Sequence, residues 1–163
     1  MTPRLIALAV CGACLLATPT QAQEAEAAGG PLRFSGGASD MLNFVVGPLP
    51  ATPPTTPVEV WEWTMYRNDR TAGDMSFDAA AYRVRIDCGT GARQVLAAEL
   101  FKDGGHLFRL VASAATEPSP PGTLYYNTVR MACEPGYHLV VRETPPDHRA
   151  ARTLADRYFA ANP

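Results

Sequence analysis

The sequence predicts an α+β fold: a small antiparallel β-meander with a short helix and a C-terminal helix packed on it, closed by one disulfide. Residues 82–88 alternate strictly between apolar and polar side chains, as a strand with one buried face does. Asp103-Gly104 separates two further strand-like segments, and glycine tolerates the positive φ of a tight hairpin turn. Cys88 and Cys133 bracket this region and are the only cysteines after residue 22.

Residues 1–22 have the pattern of a secretory signal peptide. Arg4 precedes a short apolar run at residues 5–17, and Thr20 and Ala22 provide the small residues of a cleavage site. The run is too short to span a membrane, which takes about 20 apolar residues. We therefore expect cleavage after Ala22 and export to the periplasm or the cell surface.

A lipid anchor is the alternative, since Cys11 and Cys14 fall within the apolar run. A lipid-modified cysteine usually follows a leucine-rich tripeptide that ends in a small residue. Cys11 follows Val10, and Cys14 has Cys11 where a leucine is expected. Ordinary cleavage is the preferred interpretation.

Cleavage leaves Cys88 and Cys133 in the exported chain. An even number of cysteines in an oxidising compartment predicts one disulfide. Closing a loop of this length would contribute about 4 kcal/mol by restricting the unfolded chain.

The charge pattern does not favour a nucleic-acid partner. The formal net charge is −2, and loss of Arg4 with the leader makes it −3. Acidic and basic residues are interspersed, so neither a nucleic-acid footprint nor a polybasic membrane patch is predicted. No later segment has the roughly 20 apolar residues of a membrane helix.

The sequence divides into a flexible Pro/Gly-rich arm over residues 23–57 and a compact α+β domain over residues 58–163. Residues 23–30 consist of Gln, Glu, Ala and Gly and bury too little to order themselves. Residues 42–46 are mostly apolar and can form one peripheral strand. Residues 47–57 are rich in proline, which favours a semi-extended tether.

Residues 58–66 begin the compact domain as a strand, because they are dense in β-branched and aromatic side chains. Trp61 and Trp63 share one face of it and are expected in the core, with an exposed ligand platform as the alternative. Residues 68–74 have turn-forming chemistry.

Three strands complete the predicted meander. After the strand at residues 82–88 and a turn at residues 89–91, the chain runs back at residues 93–101 and returns at residues 106–112. The strand at residues 58–66 is expected alongside.

The short helix is expected to start at Thr123, a favourable N-cap, and to stop at residues 134–136, which are Glu-Pro-Gly. It would bring Cys133 towards Cys88. Residues 137–142 can form a further short strand.

The C-terminal helix is predicted from Asp147, a favourable N-cap after two prolines. Its apolar residues recur at helical spacing: Ala151, Leu154, Ala155 and Tyr158. Packing on the sheet is preferred to a membrane-surface role, because the polar face mixes both signs of charge.

No catalytic, cofactor-binding or metal site is predicted. Catalysis by Cys88 would require a free thiol with a base such as His106, and pairing is favoured in an exported chain. The histidines lack the spacing of metal ligands: His106, His138 and His148.

The acidic residues do not define a site either. Asp69, Asp74 and Asp78 lack the alternating ligands of a calcium loop. Asp87 and Glu99 can approach each other in a sheet, but the sequence cannot place them as an acid/base pair.

Several residues resemble the surface-adhesin E-like group of small exported bacterial proteins. The shared features are upstream tryptophans, a Tyr-x-x-x-x-Asp-Cys strand and a late cysteine: Trp61, Trp63, Tyr82, Asp87, Cys88 and Cys133. The resemblance covers residues 58–133 and implies an exported, compact α+β module with a disulfide. It transfers neither adhesion nor any binding residue.

The predicted function is therefore an exported, non-enzymatic envelope or cell-surface module that binds an unknown ligand or has a structural role. The alternative is a small periplasmic enzyme, a hydrolase or a thiol-dependent enzyme, whose site is assembled from scattered residues.

Overall fold

The computed structural model describes residues 30–47, 49–111, 115–141 and 143–163. The predicted signal peptide, including Cys11 and Cys14, lies outside the described residues, as does the first part of the arm up to residue 29.

Over the described residues the fold is α+β, as predicted, and is built on one antiparallel sheet of seven strands. The strands are β1 (Arg33–Ala38), β2 (Met41–Val46), β3 (Val58–Ala72), β4 (Met75–Asp87), β5 (Ala92–Lys102), β6 (Gly105–Val111) and β7 (Thr116–Pro118). Strands β1 to β6 lie side by side in chain order, and β7 pairs with the beginning of β5. The helices are α1 (Tyr126–Cys133) and α2 (His148–Ala161).

The central meander confirms the prediction. Val84 and Ile86 of β4 are fully buried, as the alternation of residues 82–88 requires. The turn between β5 and β6 is Asp103-Gly104, with φ angles of 52° and 75°. Both central residues are left-handed, which matches the right-handed twist of the flanking strands.

Strands β3 and β4 are longer than predicted. Residues 67–72 continue β3, so the turn expected at residues 68–74 shrinks to Gly73-Asp74. The polar segment pairs with the start of β4, where Arg70 opposes Phe77 and Ala72 opposes Met75. In this two-stranded ribbon, backbone N–H and C=O groups pair across the strands. In a loop, the polar side chains would hydrogen-bond to these backbone groups instead.

Residues 33–46 form two strands of the sheet rather than one peripheral strand. Leu32 and Phe44 are fully buried in the core. The register shifts between Phe34 and Gly36, so a β-bulge absorbs the Ser-Gly-Gly segment that interrupts the apolar pattern. The sheet thus includes residues that the sequence assigned to an arm.

The two helices cover opposite faces of the sheet. The α2 face carries Trp63, Met65 and Phe101 under Ala151 and Phe159. The prediction that the tryptophans lie in the core is confirmed for Trp63, which is fully buried, whereas Trp61 is partly buried and packs against this cluster.

The α1 face carries the aliphatic side chains Val60, Val84 and Ile86, which pack under Val129 and Met131. Along each strand, the residues of the α1 face alternate with the residues of the α2 face, because successive strand residues point to opposite sides of the sheet.

The predicted start of the short helix is wrong and its end is correct. Thr123 does not cap α1, because its hydroxyl donates to the carbonyl of Pro120 at 2.7 Å. Tyr125 is the N-cap and makes no side-chain capping bond. The helix ends at Cys133, just before Glu134.

The described part of residues 137–142 forms no strand, and Arg142 lies outside the described residues. Val140 is 94% exposed, so the segment passes over the surface. At the start of α2, Asp147 accepts a hydrogen bond from the Ala150 backbone N–H at 2.8 Å, which confirms the predicted cap.

Candidate functional site

The predicted disulfide between Cys88 and Cys133 is present. The sulfur atoms are 2.02 Å apart and the Cα atoms 5.4 Å apart. The bond joins the turn after β4 to the last residue of α1, and therefore holds that helix on its face of the sheet. Cys88 is not a free nucleophile, and His106 contacts Phe101 on the α2 face instead.

A buried ion pair lies on the α1 face. Arg93 donates from a terminal guanidinium nitrogen to Glu62 Oε2 at 2.6 Å, and the side chains are 4% and 1% exposed. The guanidinium carbon of Arg93 lies 3.8 Å from the ring centre of Tyr125. Its other terminal nitrogen donates to the exposed carboxylate of Glu117 at 3.2 Å.

The strands position this pair across β4. Glu62 is on β3 opposite Tyr82, and Arg93 is on β5 opposite Ile86. Sequence reasoning missed the pair because its members are 31 residues apart. The available signal was Glu62 itself, a charged residue on the same predicted face as Val58 and Val60.

The surroundings of the pair are polar and buried. Burial raises the pKa of Glu62, although the charge and hydrogen bond of Arg93 oppose this shift. Burial also raises the pKa of Tyr82 and of Tyr125. The hydroxyl oxygens of Tyr66 and Tyr82 lie 3.2 Å apart. We call these five residues the Glu62 cluster: Glu62, Tyr66, Tyr82, Arg93 and Tyr125.

Buried polar atoms that make no hydrogen bond to a described residue include Glu62 Oε1, the amide of Asn43 and the hydroxyl of Thr128. Asn43 pairs with Thr64 on β3, two residues from Glu62. The arrangement leaves one carboxyl oxygen able to accept a proton or a hydrogen bond.

A second buried acid, Glu99, lies on β5, six residues after Arg93. Glu99 is 1% exposed, and its oxygens are 3.7 Å from His106 Nε2 and 3.9 Å from Arg109 Nε. Both distances exceed a good hydrogen bond. Burial raises the pKa of Glu99, with the charges of His106 and Arg109 opposing.

Asp87 and Glu99 are not brought together. Asp87 ends β4 and accepts a hydrogen bond from the Gly89 backbone N–H at 2.8 Å. Glu99 is paired with Ala81, six residues earlier on β4. They cannot act as an acid/base pair in this arrangement.

Two of the three histidines, His106 and His148, lie against the ring of Phe101. His148 stacks on Trp63 with a centroid distance of 4.9 Å, and His106 meets the edge of Phe101. His138 is exposed beside the Gly136 carbonyl. Within the described ranges, no group of three or more His, Cys, Asp or Glu side chains could hold a metal ion.

Two of the aspartates considered for calcium surround Lys102. Asp69 lies 2.6 Å from its ammonium nitrogen and Asp78 lies 3.9 Å from it. Asp74 is in the β3–β4 turn. The ammonium group thus supplies the positive charge between these carboxylates.

Comparisons with protein-family models, curated proteins and solved structures found no match. The resemblance to the surface-adhesin E-like group therefore stays a prediction. Neither described helix has the length and apolar character needed to cross a membrane.

Proposed function

We propose that the chain is an exported, non-enzymatic binding or structural module of the bacterial envelope or cell surface. The observation that carries this proposal is the Cys88–Cys133 disulfide. Disulfides persist in oxidising compartments and are rare where thiols are kept reduced. The predicted leader at residues 1–22 would deliver the chain to such a compartment.

The Glu62 cluster supports a structural role for the buried charges. Glu62 and Arg93 neutralise each other, and Tyr125 covers the face of the guanidinium. The pair connects β3 to β5, while the disulfide connects β4 to α1. These two links lie on the side of the sheet on which α1 packs.

The proposal is tested by expressing the chain with its leader in a Gram-negative bacterium. We expect a periplasmic or surface product that begins at Gln23 by intact mass and contains no free thiol. A matched variant, Ala22→Arg, should keep the leader because a large charged residue blocks cleavage. A cytoplasmic wild-type product with two titratable thiols at Cys88 and Cys133 would reject the proposal.

A second candidate is a small periplasmic enzyme with Glu62 as its acid or base. It is favoured by the buried Glu62 Oε1, which no described residue bonds, and by the raised pKa of this carboxyl. Chromogenic ester, glycoside and amide substrates would test it. Turnover lost in Glu62→Gln and kept in Glu59→Gln would favour the enzyme, provided that thermal unfolding shows both variants folded at the assay temperature. An absence of turnover in the wild type would reject the enzyme.

A further inference from the structure

Among the described residues, the exposed large hydrophobic side chains fall into two groups. One group is on β6 and the other is at the opposite edge of the sheet, beside β1: Leu49, Val140, Val141 and Tyr158. Val140 is the most exposed of all. Exposed apolar side chains that gather around a concave surface mark a binding site more often than scattered ones do.

Two adjoining grooves lie at the β1 edge. One has a volume of about 370 Å³ and includes Phe34, Leu49, Met131, Leu139 and Val141 in its walls. The other has a volume of about 340 Å³ and is bounded by Phe34, Leu42, Val141, Leu154 and Tyr158, with Glu143. Because Phe34 and Val141 line both, we treat them together as the edge groove.

The charges around the edge groove favour an anion. Among the described residues that line the first groove, Arg33 is charged and none is acidic. The one acid of the second groove, Glu143, is bonded to Arg157. One terminal nitrogen of Arg33 donates to the Gly47 carbonyl at 2.9 Å, and a guanidinium has further N–H donors that match a carboxylate.

We propose that the edge groove binds a free single-chain amphiphile with a carboxylate head, such as a fatty acid. Its tail lies along Phe34 and Val141, and its carboxylate meets Arg33. The inference rests on the proposed binding role and names a ligand class for it. The walls are concave, which suits a single chain lying along the groove better than a flat bilayer surface.

Calorimetric titration of the purified chain with octanoate, decanoate and dodecanoate tests the tail. Each added methylene should tighten binding about fourfold, the factor that corresponds to roughly 0.8 kcal/mol per buried methylene. Dodecyltrimethylammonium has an equal tail and the opposite head charge, and should bind more weakly than dodecanoate. Equal affinity for the two heads, or no dependence on chain length, would overturn the proposal.

Two substitutions to aspartate test the location. Val141→Asp places a charge in both walls and should weaken dodecanoate binding about tenfold or more. Leu107→Asp adds the same charge on β6, at the far edge of the sheet, and should leave the affinity within about twofold, as for a surface change away from the site. Thermal unfolding of both variants establishes that they fold.

Equal weakening in the two variants would overturn the inference, as would binding only to vesicles of anionic phospholipid. The experiments can reject the fatty-acid inference and the proposed function independently of each other. A failed chain-length series on an exported protein with its disulfide intact rejects the fatty acid alone. A cytoplasmic product with free thiols rejects the exported module, whatever the groove binds.

Discussion

Glu62 and Arg93 form an ion pair that crosses β4 inside the protein, with 2.6 Å between Glu62 Oε2 and a terminal guanidinium nitrogen. Removing one partner leaves the other charge buried. This is the costly case, whereas replacing both partners by apolar residues is often neutral.

Glu62→Gln should therefore destabilise the fold by about 3 kcal/mol, towards the lower end of the range for broken buried pairs because Glu117 still contacts Arg93. The matched control is Glu59→Gln, which removes an exposed pair with Arg85 and should cost less than about 1 kcal/mol. Urea unfolding measures both.

Replacing both partners supplies the contrary test. A Glu62→Leu, Arg93→Met double variant should recover much of the stability lost in Glu62→Gln. A double variant that is less stable than the single one would show that the pair contributes net stability through its own geometry.

The part of the fold that sequence predicts well is the part decided by local pattern. Residues 82–88 alternate, Asp103-Gly104 forces a left-handed turn, and Asp147 caps α2 by a contact three residues away. Each of these depends on neighbours in the chain, so periodicity and turn chemistry are sufficient.

The missed features depend on distant partners. Residues 67–72 have the composition of a loop, and the strand reaches residue 72 because residues 75–77 pair with residues 70–72. Leu32 and Phe44 are buried by α2, more than 100 residues later in the chain. The Glu62 cluster forms through register across three strands, which a single sequence does not reveal.

Loss of the disulfide should cost about 4 kcal/mol, since the 45-residue separation of Cys88 and Cys133 sets the entropy of the closed loop. The Cys88→Ala, Cys133→Ala variant should unfold at lower urea than the oxidised wild type. Reduced wild type is the control and should match the variant. Equal stability of the oxidised and reduced wild type would contradict the expected contribution of the disulfide.

Hydrogen exchange tests a second, local effect of the bond, separate from its restriction of the unfolded chain. Amides of α1 should exchange faster in the double alanine variant, because the bond ends on the last residue of this helix. Amides of α2 lie on the other face and should change less. Uniform acceleration would indicate global rather than local loosening.

Glu99 should make stability fall as pH rises. Burial raises its pKa in the folded state, so the neutral carboxyl is preferred there. The stability it contributes is fully present below the unfolded pKa of about 4.3 and is lost as pH rises through the folded pKa. Glu99→Gln, which is always neutral, should match the wild type near pH 4 and exceed it near pH 7.

Glu134 provides a control of opposite sign. Hydrogen bonds from Arg130 hold the pKa of this carboxyl below its usual range. The stability that Glu134 contributes is therefore present above the unfolded pKa and is lost as pH falls. Glu134→Gln should not be more stable than the wild type at pH 7. Urea unfolding between pH 4 and 7 measures both variants. A Glu99→Gln variant less stable than the wild type at pH 7 would show that His106 and Arg109 outweigh burial.

Asp147→Ala should destabilise the protein by about 1 kcal/mol, the usual cost of losing an N-cap bond. The lost contact is the 2.8 Å bond from the Ala150 backbone N–H. Asp147→Asn keeps the acceptor and should cost less. Thr123→Ala is the matched control at the other helix, and because Thr123 does not cap α1 it should cost less than about 0.5 kcal/mol.

The position of the cap makes its effect visible beyond α2. His148, the first residue of the helix, stacks on Trp63, so a frayed first turn changes the environment of a fully buried indole. Asp147→Ala should therefore alter tryptophan fluorescence in the folded state, and Thr123→Ala should not. If Asp147→Ala loses about 1 kcal/mol without a change in fluorescence, the fraying does not reach the stacked pair. If Asp147→Ala and Thr123→Ala cost the same, the Asp147 hydrogen bond adds no specific stability to the helix.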